Sequence, residues 1–258
     1  MQAVIDQQEL EAKVKDMYRR VADEPHGDFH FEMGRALAER LGYDRTELDR
    51  VPQAAVDSFA GVGCPFLLAD LRRGEQVLDL GSGSGMDTFV AALQVGDDGH
   101  VVGIDMTDKQ LTKARRLAHE GEFSNVKYVA GHIEELPFED AMFDVVLSNG
   151  VVNLSAGKDD VFREAARVLR PGGRLVLSDI VTDAQLPENI VCNTNLWAAC
   201  IGGAMQRDAY RDSIESAGLQ VESVRDNPQY AFLSRSAQNA SGQYGVKSVT
   251  VLARKAGS

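Results

Sequence analysis

The stretch VLDLGSGSGMD, from Val77 to Asp87, contains the residue types and spacing best suited to bind a nucleotide-like ligand. Gly81, Gly83 and Gly85 alternate directly after an apolar run that includes the acidic Asp79. A hydrophobic run that ends in closely spaced glycines is typical of a strand that leads into a helix through a tight, ligand-binding turn. The ligand held by this turn therefore decides which chemistry the chain performs.

The glycine spacing narrows the choice between nucleoside triphosphates, nicotinamide dinucleotides and S-adenosylmethionine. A triphosphate-binding loop requires G-x-x-x-x-G-K followed by Ser or Thr, and this chain has neither that spacing nor the lysine. The dinucleotide pattern is G-x-G-x-x-G, whereas the motif here is G-x-G-x-G. Asp105 ends the next apolar run about 20 residues later, where a carboxylate can accept hydrogen bonds from two ribose hydroxyls. The alternative is a structural role for Asp105 as the cap of the following helix.

Alternating strand-like and helix-like segments surround this turn. The strand-like segments are QVLDLG, HVVGIDM, VKYVAG, FDVVLSNGV and RLVLSDIV. Strands joined through crossover helices form a parallel sheet, so we predict an α/β fold with a doubly wound, mostly parallel, seven-stranded sheet. After Ile180 a helix precedes two strands with no evident helix between them, which predicts an antiparallel final strand. The segment SRSAQNASGQYG, between those two strands, is predicted to be a mobile surface loop.

Two units are expected along the chain. Residues 1–60 are predicted to form a helical cap over the active site, because residues 7–22 and the segment FEMGRALAERLGY have helical apolar spacing. Residues 61–258 are predicted to form the cofactor-binding domain. An insertion at about 184–208 is expected to line the substrate site.

Composition limits the class of protein and its partners. Of the 258 residues, 44% are hydrophobic and 26% are charged, as in ordinary globular proteins. The formal net charge of −12 and the lack of a basic run argue against a nucleic-acid partner. No signal peptide and no apolar run near the ~20 residues that span a bilayer are recognised, so we expect a cytoplasmic protein without a membrane partner. The three cysteines form no C-x-x-C pair and indicate neither a disulfide framework nor a zinc site.

Several motifs together carry a family resemblance. Besides the glycine turn, they are GHIEELPF, FDVVLSN and ARVLRPGGRLVLSD, followed by the antiparallel finish. Over residues 76–255 the chain resembles the class I S-adenosylmethionine-dependent methyltransferases. The resemblance implies S-adenosylmethionine as the cofactor and a Rossmann-like sheet that binds it.

The resemblance assigns a role to each matching position. The turn from Gly81 to Gly85 would let the backbone approach the methionine part of the cofactor, and Asp79 would help to orient its ammonium group. Asp105 would hold the ribose. The implied cofactor-binding residues are Asp79, Gly81, Ser82, Gly83, Gly85, Asp105, Met106, Ile133, Glu134 and Asn149.

The residues predicted to contact adenine could instead have structural roles. By the resemblance, Met106 would pack on the adenine face, while the Ile133 amide and the Glu134 carboxylate would line its edge. Met106 could instead fill the core, and Glu134 could be a solvated carboxylate of an acidic protein. Asn149, at the end of the fourth strand, would face the region where the methyl group leaves.

Further stretches narrow the resemblance. SNGVVNLSAGKDDVFREAARVLRPGGRLVLSDI, LPENIVCNTNLWAACIGGAM and GIDMT are similar to the arsenite methyltransferase family and its near relatives. The resemblance implies a trivalent arsenic substrate held by cysteine thiolates. Arsenic(III) prefers soft sulfur ligands, and its lone pair can attack a sulfonium methyl without first losing a proton. Alignment and a dry cavity then matter more than a general base.

The predicted catalytic residues are Cys64, Cys200 and Asn149. Cys200 falls where the family places a substrate thiol, and Cys64 lies in the loop GVGCPF, near the family's other loop cysteine but in a shortened pattern. The later family cysteine is missing, and Tyr244 lies in that segment. Cys192 precedes Cys200 by eight residues, about 80° apart on a helix, and is a candidate substitute ligand. A small-molecule thiol would be the third ligand, and each cysteine could instead be a buried hydrophobe.

Two other functions stay open. A methyltransferase for an organic oxygen, nitrogen or carbon nucleophile would need a base near the methyl group where the acceptor must be deprotonated. The segment EPHGDFHFEMG offers His26 and His30, and Tyr18 lies on the first helix. A cofactor-binding protein without turnover is the third hypothesis, which the intact glycine turn and Asp105 disfavour.

Overall fold

The structure is a computed structural model that describes residues 7–25, 27, 29, 31–187, 190, 202–233 and 235–257. Its strands are β1 Gln76–Leu80, β2 His100–Asp105, β3 Val126–Ala130, β4 Phe143–Asn149, β5 Leu169–Thr182, β6 Met205–Gln206, β7 Leu219–Asp226 and β8 Lys247–Lys255. Seven of them lie side by side in the order β3-β2-β1-β4-β5-β8-β7. β1 to β5 pair in parallel, and β8 is antiparallel to both of its neighbours.

This sheet confirms the predicted doubly wound α/β fold and its antiparallel final strand. The predicted number of seven strands is one too few, because the short strand β6 pairs with the end of β5. A strand of two residues carries no apolar alternation, so its sequence gives no signal.

Helices cover both faces of the sheet. In the described part of the chain they are α1 Gln7–Asp23, α2 Arg35–Leu41, α3 Arg45–Leu48, α4 Gln53–Asp57, α5 Phe66–Ala69, α6 Met86–Val95, α7 Asp108–Glu120, α8 Lys158–Val168, α9 Arg207–Ser216 and α10 Arg235–Tyr244, with a 3₁₀ turn at Val152–Leu154. Successive strand residues point to opposite faces, so Val77 packs toward α6 while Leu78 packs toward α8. Because both faces are covered, the parallel strands are almost continuously apolar.

The segment SRSAQNASGQYG is mostly helical, so the prediction of a surface loop was wrong. α10 lies between β7 and β8, in the place where the sequence was predicted to lack a helix. Ala240 of α10 is buried in an apolar cluster with Val246 and with Leu10 and Val14 of α1. Burial of this face outweighs the weak helix propensity of the serines and Gly242. The antiparallel pairing of β7 with β8 does not depend on this correction.

The helices before residue 60 pack on the same core as the sheet domain. Leu37 and Val56 share a cluster with Phe89 of α6 and Leu111 of α7. The second half of α1 is also tied to α7, where Gln110 donates a hydrogen bond of 3.0 Å to the Tyr18 carbonyl. The cap and the site edge of the sheet are therefore held in one arrangement. Among the described helices, none has the length and apolar character needed to cross a bilayer.

Arg174 of β5 is a buried cation that joins the sheet to the segment before β1. Its guanidinium pairs with both carboxylate oxygens of Glu75 at 2.8 Å and donates to the carbonyls of Ala69 and Asp70. Loss of one partner of a buried pair leaves an uncompensated charge, at a cost of about 3 to 5 kcal/mol. We expect Glu75→Ala to lower the free energy of unfolding by about 3 kcal/mol in urea denaturation.

The control for this measurement is Glu222→Ala. Glu222 forms an exposed pair with Arg254 on the neighbouring strand. Exposed pairs contribute little, so we expect a change below about 1 kcal/mol. Equal decreases in the free energy of unfolding of the two variants would show that the buried Arg174 pair stabilises the fold no more than an exposed pair.

Candidate functional site

A cavity of about 630 Å³ lies at the carboxyl ends of β1, β2 and β4, beneath α1. Its volume lies within the range of small-molecule sites. Parallel α/β sheets bind ligands at this edge where the strand order reverses, which here is between β1 and β4. The predicted residues that line the cavity are Asp79, Gly81, Ser82, Gly83, Asp105, Met106, Ile133, Glu134 and Asn149. Gly85 belongs to the same turn but does not line the cavity.

The glycine turn depends on the absence of side chains. Gly81, Gly83 and Gly85 have φ values of 68°, 54° and 95°, which are in the left-handed region. A Cβ on Gly81 would lie 2.5 Å from Val151, and a Cβ on Gly85 would collide with the Tyr128 hydroxyl. Gly85 also precedes α6 without a capping side chain, and in the first turn of the helix the Thr88 amide donates to the Asp79 carboxylate.

Asp105 links β2 to the glycine turn. Its carboxylate accepts hydrogen bonds from the Gly83 amide at 2.9 Å and from the Thr107 amide at 2.7 Å. Thr107 occupies the N-cap position of α7 without a capping hydrogen bond from its side chain, and Asp105 binds the amide of that residue. Burial raises the pKa of the Asp105 carboxyl. The Thr107 hydroxyl and the Met106 amide donate to this carboxylate as well, so a ribose hydroxyl would share it with donors of the protein.

The predicted adenine end of the cavity combines apolar and polar side chains. Met106 is partly buried, lines the cavity and packs against the apolar cluster that contains Leu10 and Val14. Ile133 is buried in the main core, and Glu134 accepts a hydrogen bond from the Ser155 hydroxyl. Met106 and Ile133 thus serve the core as well as the cavity.

Two carboxylates are buried at the inner end of the cavity. Asp79 is 2% exposed and accepts a hydrogen bond of 2.6 Å from the Thr88 hydroxyl. Burial, and then the nearby Asp87, raise its pKa well above the usual range. Burial also raises the pKa of Asp87 to about 6. Neither carboxylate forms an ion pair with any lysine or arginine in the described part of the chain, so a positively charged ligand would be favoured here.

Sequence reasoning missed Asp87 as a site residue. It ends the quoted glycine motif, but an acidic residue in the first turn of a helix is common because of the helix dipole. Tyr43, from the segment after α2, was missed as well and donates a hydrogen bond of 2.5 Å to Asp87. Pairs so far apart along the chain leave no local pattern.

The side chain of Asn149 forms hydrogen bonds with other residues of the protein. Its side-chain oxygen accepts hydrogen bonds from the Val62 and Gly63 amides at 2.8 and 3.3 Å. Its side-chain nitrogen lies 3.0 Å from each of three acceptors: the Gly63 carbonyl, the Tyr43 hydroxyl and the Asp87 carboxylate. Asn149 therefore fixes the loop before Cys64, at the edge of the cavity.

Cys64 is buried beside the cavity without lining it. It belongs to the apolar cluster that includes Tyr43 and Phe89. Burial, followed by the charge of Asp87, raises the pKa of its thiol to about 12. Cys192, Cys200, His26 and His30 lie outside the described residues. The ligand roles of the three cysteines stay predictions.

The fold and the site define the class of the protein. A doubly wound sheet with β8 inserted antiparallel between β5 and β7, and a glycine turn after β1, is the architecture of Rossmann-like methyltransferases. Residues 71–218 match a family model described as a methyltransferase domain, and the chain belongs to that family.

Comparison with known proteins gives more specific similarities. The chain is 41% identical over 220 residues to an arsenite methyltransferase of Halobacterium salinarum, which covers 84% of this chain and 56% of that protein. It is 41% identical over 152 residues to the arsenite methyltransferase of Homo sapiens, or 55% of this chain and 40% of that protein. The chain thus spans about half the length of these curated relatives.

A solved structure agrees with these relatives. The fold is similar to CrArsM, an arsenic(III) S-adenosylmethionine methyltransferase from Chlamydomonas reinhardtii, with a TM-score of 0.66 and 31% identity. The match covers 87% of this chain and 74% of that one.

S-adenosylmethionine is the cofactor of this domain, and the cavity has features that fit it. The Asp105 carboxylate lines the cavity and would be an acceptor for ribose hydroxyls, while the start of α6, which no side chain of Gly85 caps, would suit an amino-acid carboxylate. The buried carboxylates Asp79 and Asp87 suit a ligand with ammonium and sulfonium charges. When bound, S-adenosylmethionine supplies an electrophilic methyl group.

Cofactor binding should depend on the space at Gly85. We expect Gly85→Ala to abolish the rise in melting temperature that saturating S-adenosylmethionine gives the unaltered chain, because the added methyl group collides with Tyr128. The control is Gly172→Ala, since Gly172 also has a positive φ, 77°, but has open space around it. The control should lose about 1 kcal/mol of stability and keep the shift. A full shift in Gly85→Ala would contradict the steric argument.

Stability should also change with pH through Asp87. Its pKa is about 6 in the folded chain, against an ordinary value of 3.8, so the folded state binds a proton more tightly than the unfolded state. The contribution of Asp87 to the free energy of unfolding should therefore fall as pH rises from about 4 to 6. We expect Asp87→Asn to reduce that fall in urea denaturation at pH 4, 5, 6 and 7. Parallel pH profiles for the two proteins would contradict the assignment.

Proposed function

We propose that this chain transfers the methyl group of S-adenosylmethionine to trivalent arsenic bound by cysteine thiolates. The observation that carries the proposal is the position of the Cys64 loop at the edge of the cofactor cavity, where Asn149 holds it. The 41% identity to an arsenite methyltransferase over 84% of the chain supports the same acceptor.

The cofactor-binding residues follow from the cavity. Asp105 holds the ribose, and the turn from Gly81 to Gly85 receives the methionine part. Asp79 and Asp87 compensate the positive charges, and Ile133 and Glu134 border the adenine with Met106 on its face. The supporting observation is that these residues, except Gly85, line one cavity.

Arsenic(III) is an acceptor that requires no general base at the site. Its lone pair forms the bond to carbon while the carbon–sulfur bond of the sulfonium breaks, so the acceptor loses no proton in the transfer. The site has only to align the acceptor and exclude water. Cys64 and Cys200 are the proposed ligands, with Cys192 or a small-molecule thiol as the third. We expect no nucleic-acid or membrane partner and a cytoplasmic location.

Single replacements of the cysteines test this proposal. We expect Cys64→Ser and Cys200→Ser each to lower the rate of methylarsenic formation, followed by chromatography, at least about tenfold, because a lost sulfur ligand weakens arsenic binding. Cys192→Ser should have a smaller effect. The control is the melting-temperature shift with S-adenosylmethionine, which each variant should retain. Full activity in both Cys64→Ser and Cys200→Ser would reject the arsenic acceptor.

The second candidate is a methyltransferase for an organic nucleophile. It is favoured by the described cavity wall, which presents Leu10, Val14 and Leu154 together with Tyr18, whereas Cys64 lies behind that wall. Such a wall suits an apolar acceptor. Tyr18 and the histidines 26 and 30 are then the candidate bases.

One incubation separates the candidates. The chain is given labelled cofactor with arsenite and thiol, or with phenols, quinones and amines in separate reactions. Label in arsenic products alone supports the arsenic acceptor, and label in an organic product supports the second candidate. Cofactor binding without labelled product supports a non-catalytic binding protein. A pH profile unchanged by Tyr18→Phe, His26→Ala and His30→Ala would reject the general-base mechanism.

A further inference from the structure

We infer that Tyr43 and Asp87 are positioning residues that fix the side-chain amide of Asn149 and, through it, the loop of residues 61–64. The cap, the start of α6 and the end of β4 each contribute one member of this network. Its last step, the placement of Cys64 for an acceptor, rests on the proposed function, whereas the placement of the loop does not.

Each of the three residues of the network contacts the other two. The Tyr43 hydroxyl donates to one carboxylate oxygen of Asp87 at 2.5 Å, and the Asn149 side-chain nitrogen donates to the other at 3.0 Å. The same nitrogen lies 3.0 Å from the Tyr43 oxygen. Tyr43 and Asp87 are 5% and 8% exposed, so water competes little for these hydrogen bonds.

Asp87 and the Gly63 carbonyl together determine which way the Asn149 amide faces, because both accept a hydrogen bond of 3.0 Å from its nitrogen. An ionised carboxylate only accepts hydrogen bonds, so it must face the amide nitrogen of Asn149 and not the amide oxygen. The Asn149 oxygen is then directed at the Val62 and Gly63 amides, which only donate. A flipped amide would set oxygen against carboxylate and N–H against N–H, and both pairs are repulsive.

The loop has little freedom on its other side. The Ser248 hydroxyl of β8 donates a hydrogen bond of 2.6 Å to the Val62 carbonyl. A Cβ on Gly63 would lie 2.5 Å from the side chains of Ser178 and Asn227, so the backbone is in close contact with β5 and the segment after β7. The Asn149 amide is thus the attachment of this loop on the cavity side.

Tyr43 acts only through other residues. It does not line the cavity, whereas Asp87 and Asn149 do. Tyr43→Phe removes the hydroxyl and keeps the ring that packs against Phe59 and Phe66. It therefore tests the network without altering a wall of the cavity.

Hydrogen exchange read by mass spectrometry on a peptide that covers residues 59–68 tests the inference. We expect Tyr43→Phe and Asp87→Asn each to speed exchange of the Val62 and Gly63 amides about fivefold or more, since loss of one hydrogen bond corresponds to about 1 kcal/mol. The matched control is Tyr210→Phe, which removes another buried tyrosine hydroxyl bonded to an aspartate, Asp179, at 2.8 Å. Unchanged exchange in both test variants, or equal acceleration in the control, would overturn the inference.

A second measurement follows the loop to Cys64. In a chain with Cys192→Ser and Cys200→Ser, Cys64 is the remaining thiol of the three. Tyr43→Phe should raise its rate of reaction with 4,4′-dithiodipyridine about fivefold, and Tyr210→Phe should leave that rate unchanged. Equal rates in all three proteins would overturn the extension of the network to Cys64.

Turnover separates positioning from a loss of folding. With all three cysteines present, Tyr43→Phe should lower kcat about tenfold while KM for S-adenosylmethionine stays within twofold, because Tyr43 does not line the cavity. An unchanged kcat would overturn the positioning role. If arsenite is not methylated by the unaltered chain, the proposed function fails, and the exchange measurement still decides whether the network holds the loop.

Discussion

The site depends on the burial of two carboxylates, Asp79 and Asp87, at the carboxyl edge of β1. Desolvation opposes their ionised forms, and hydrogen bonds from Thr88, Tyr43 and Asn149 offset part of that cost. These donors come from helix, cap and strand, so the three elements must meet at one place for the charges to be tolerated. A cationic ligand would complete the compensation, which would link the arrangement of the fold to the charge of the cofactor.

The same constraint explains why the helices before residue 60 share a core with the sheet. Tyr43 reaches Asp87 only if α2 packs on α6, which the cluster of Leu37, Val56 and Phe89 ensures. α1 then lies across the cavity, with Leu10 and Val14 in its roof. Side chains that α1 places in the cavity wall shield the nearby charges from water, and this strengthens their interactions. Packing and electrostatics therefore favour the same arrangement.

The sequence was informative where the chemistry is local. The glycine turn and Asp105 follow from spacing within one strand–turn–helix–strand unit, and the structure places Gly81, Gly83 and Asp105 around one cavity. Tyr43 and Asp87 could not be predicted, because their hydrogen bond joins residues 44 positions apart. α10 was missed because its serines and glycine indicate a loop, and the burial of Ala240 that stabilises it is a tertiary effect. Element type followed from periodicity, whereas the partner of each polar group required the fold.

The burial of Cys64 opposes the chemical form in which a thiol usually binds a metal. Burial raises the pKa of its thiol to about 12, which disfavours the thiolate that binds metals. Arsenite differs from a metal ion in carrying hydroxyl groups: a neutral thiol replaces one of them, and the thiol proton leaves with that oxygen as water. The product is a neutral sulfur–arsenic bond, so the environment that opposes a thiolate does not oppose the bound state. A dry, apolar surrounding also limits the reverse reaction, because hydrolysis needs water at the arsenic. For the proposed arsenic acceptor, the high thiol pKa would thus oppose the rate of binding more than its equilibrium, and the position of the loop would decide whether arsenite reaches the thiol.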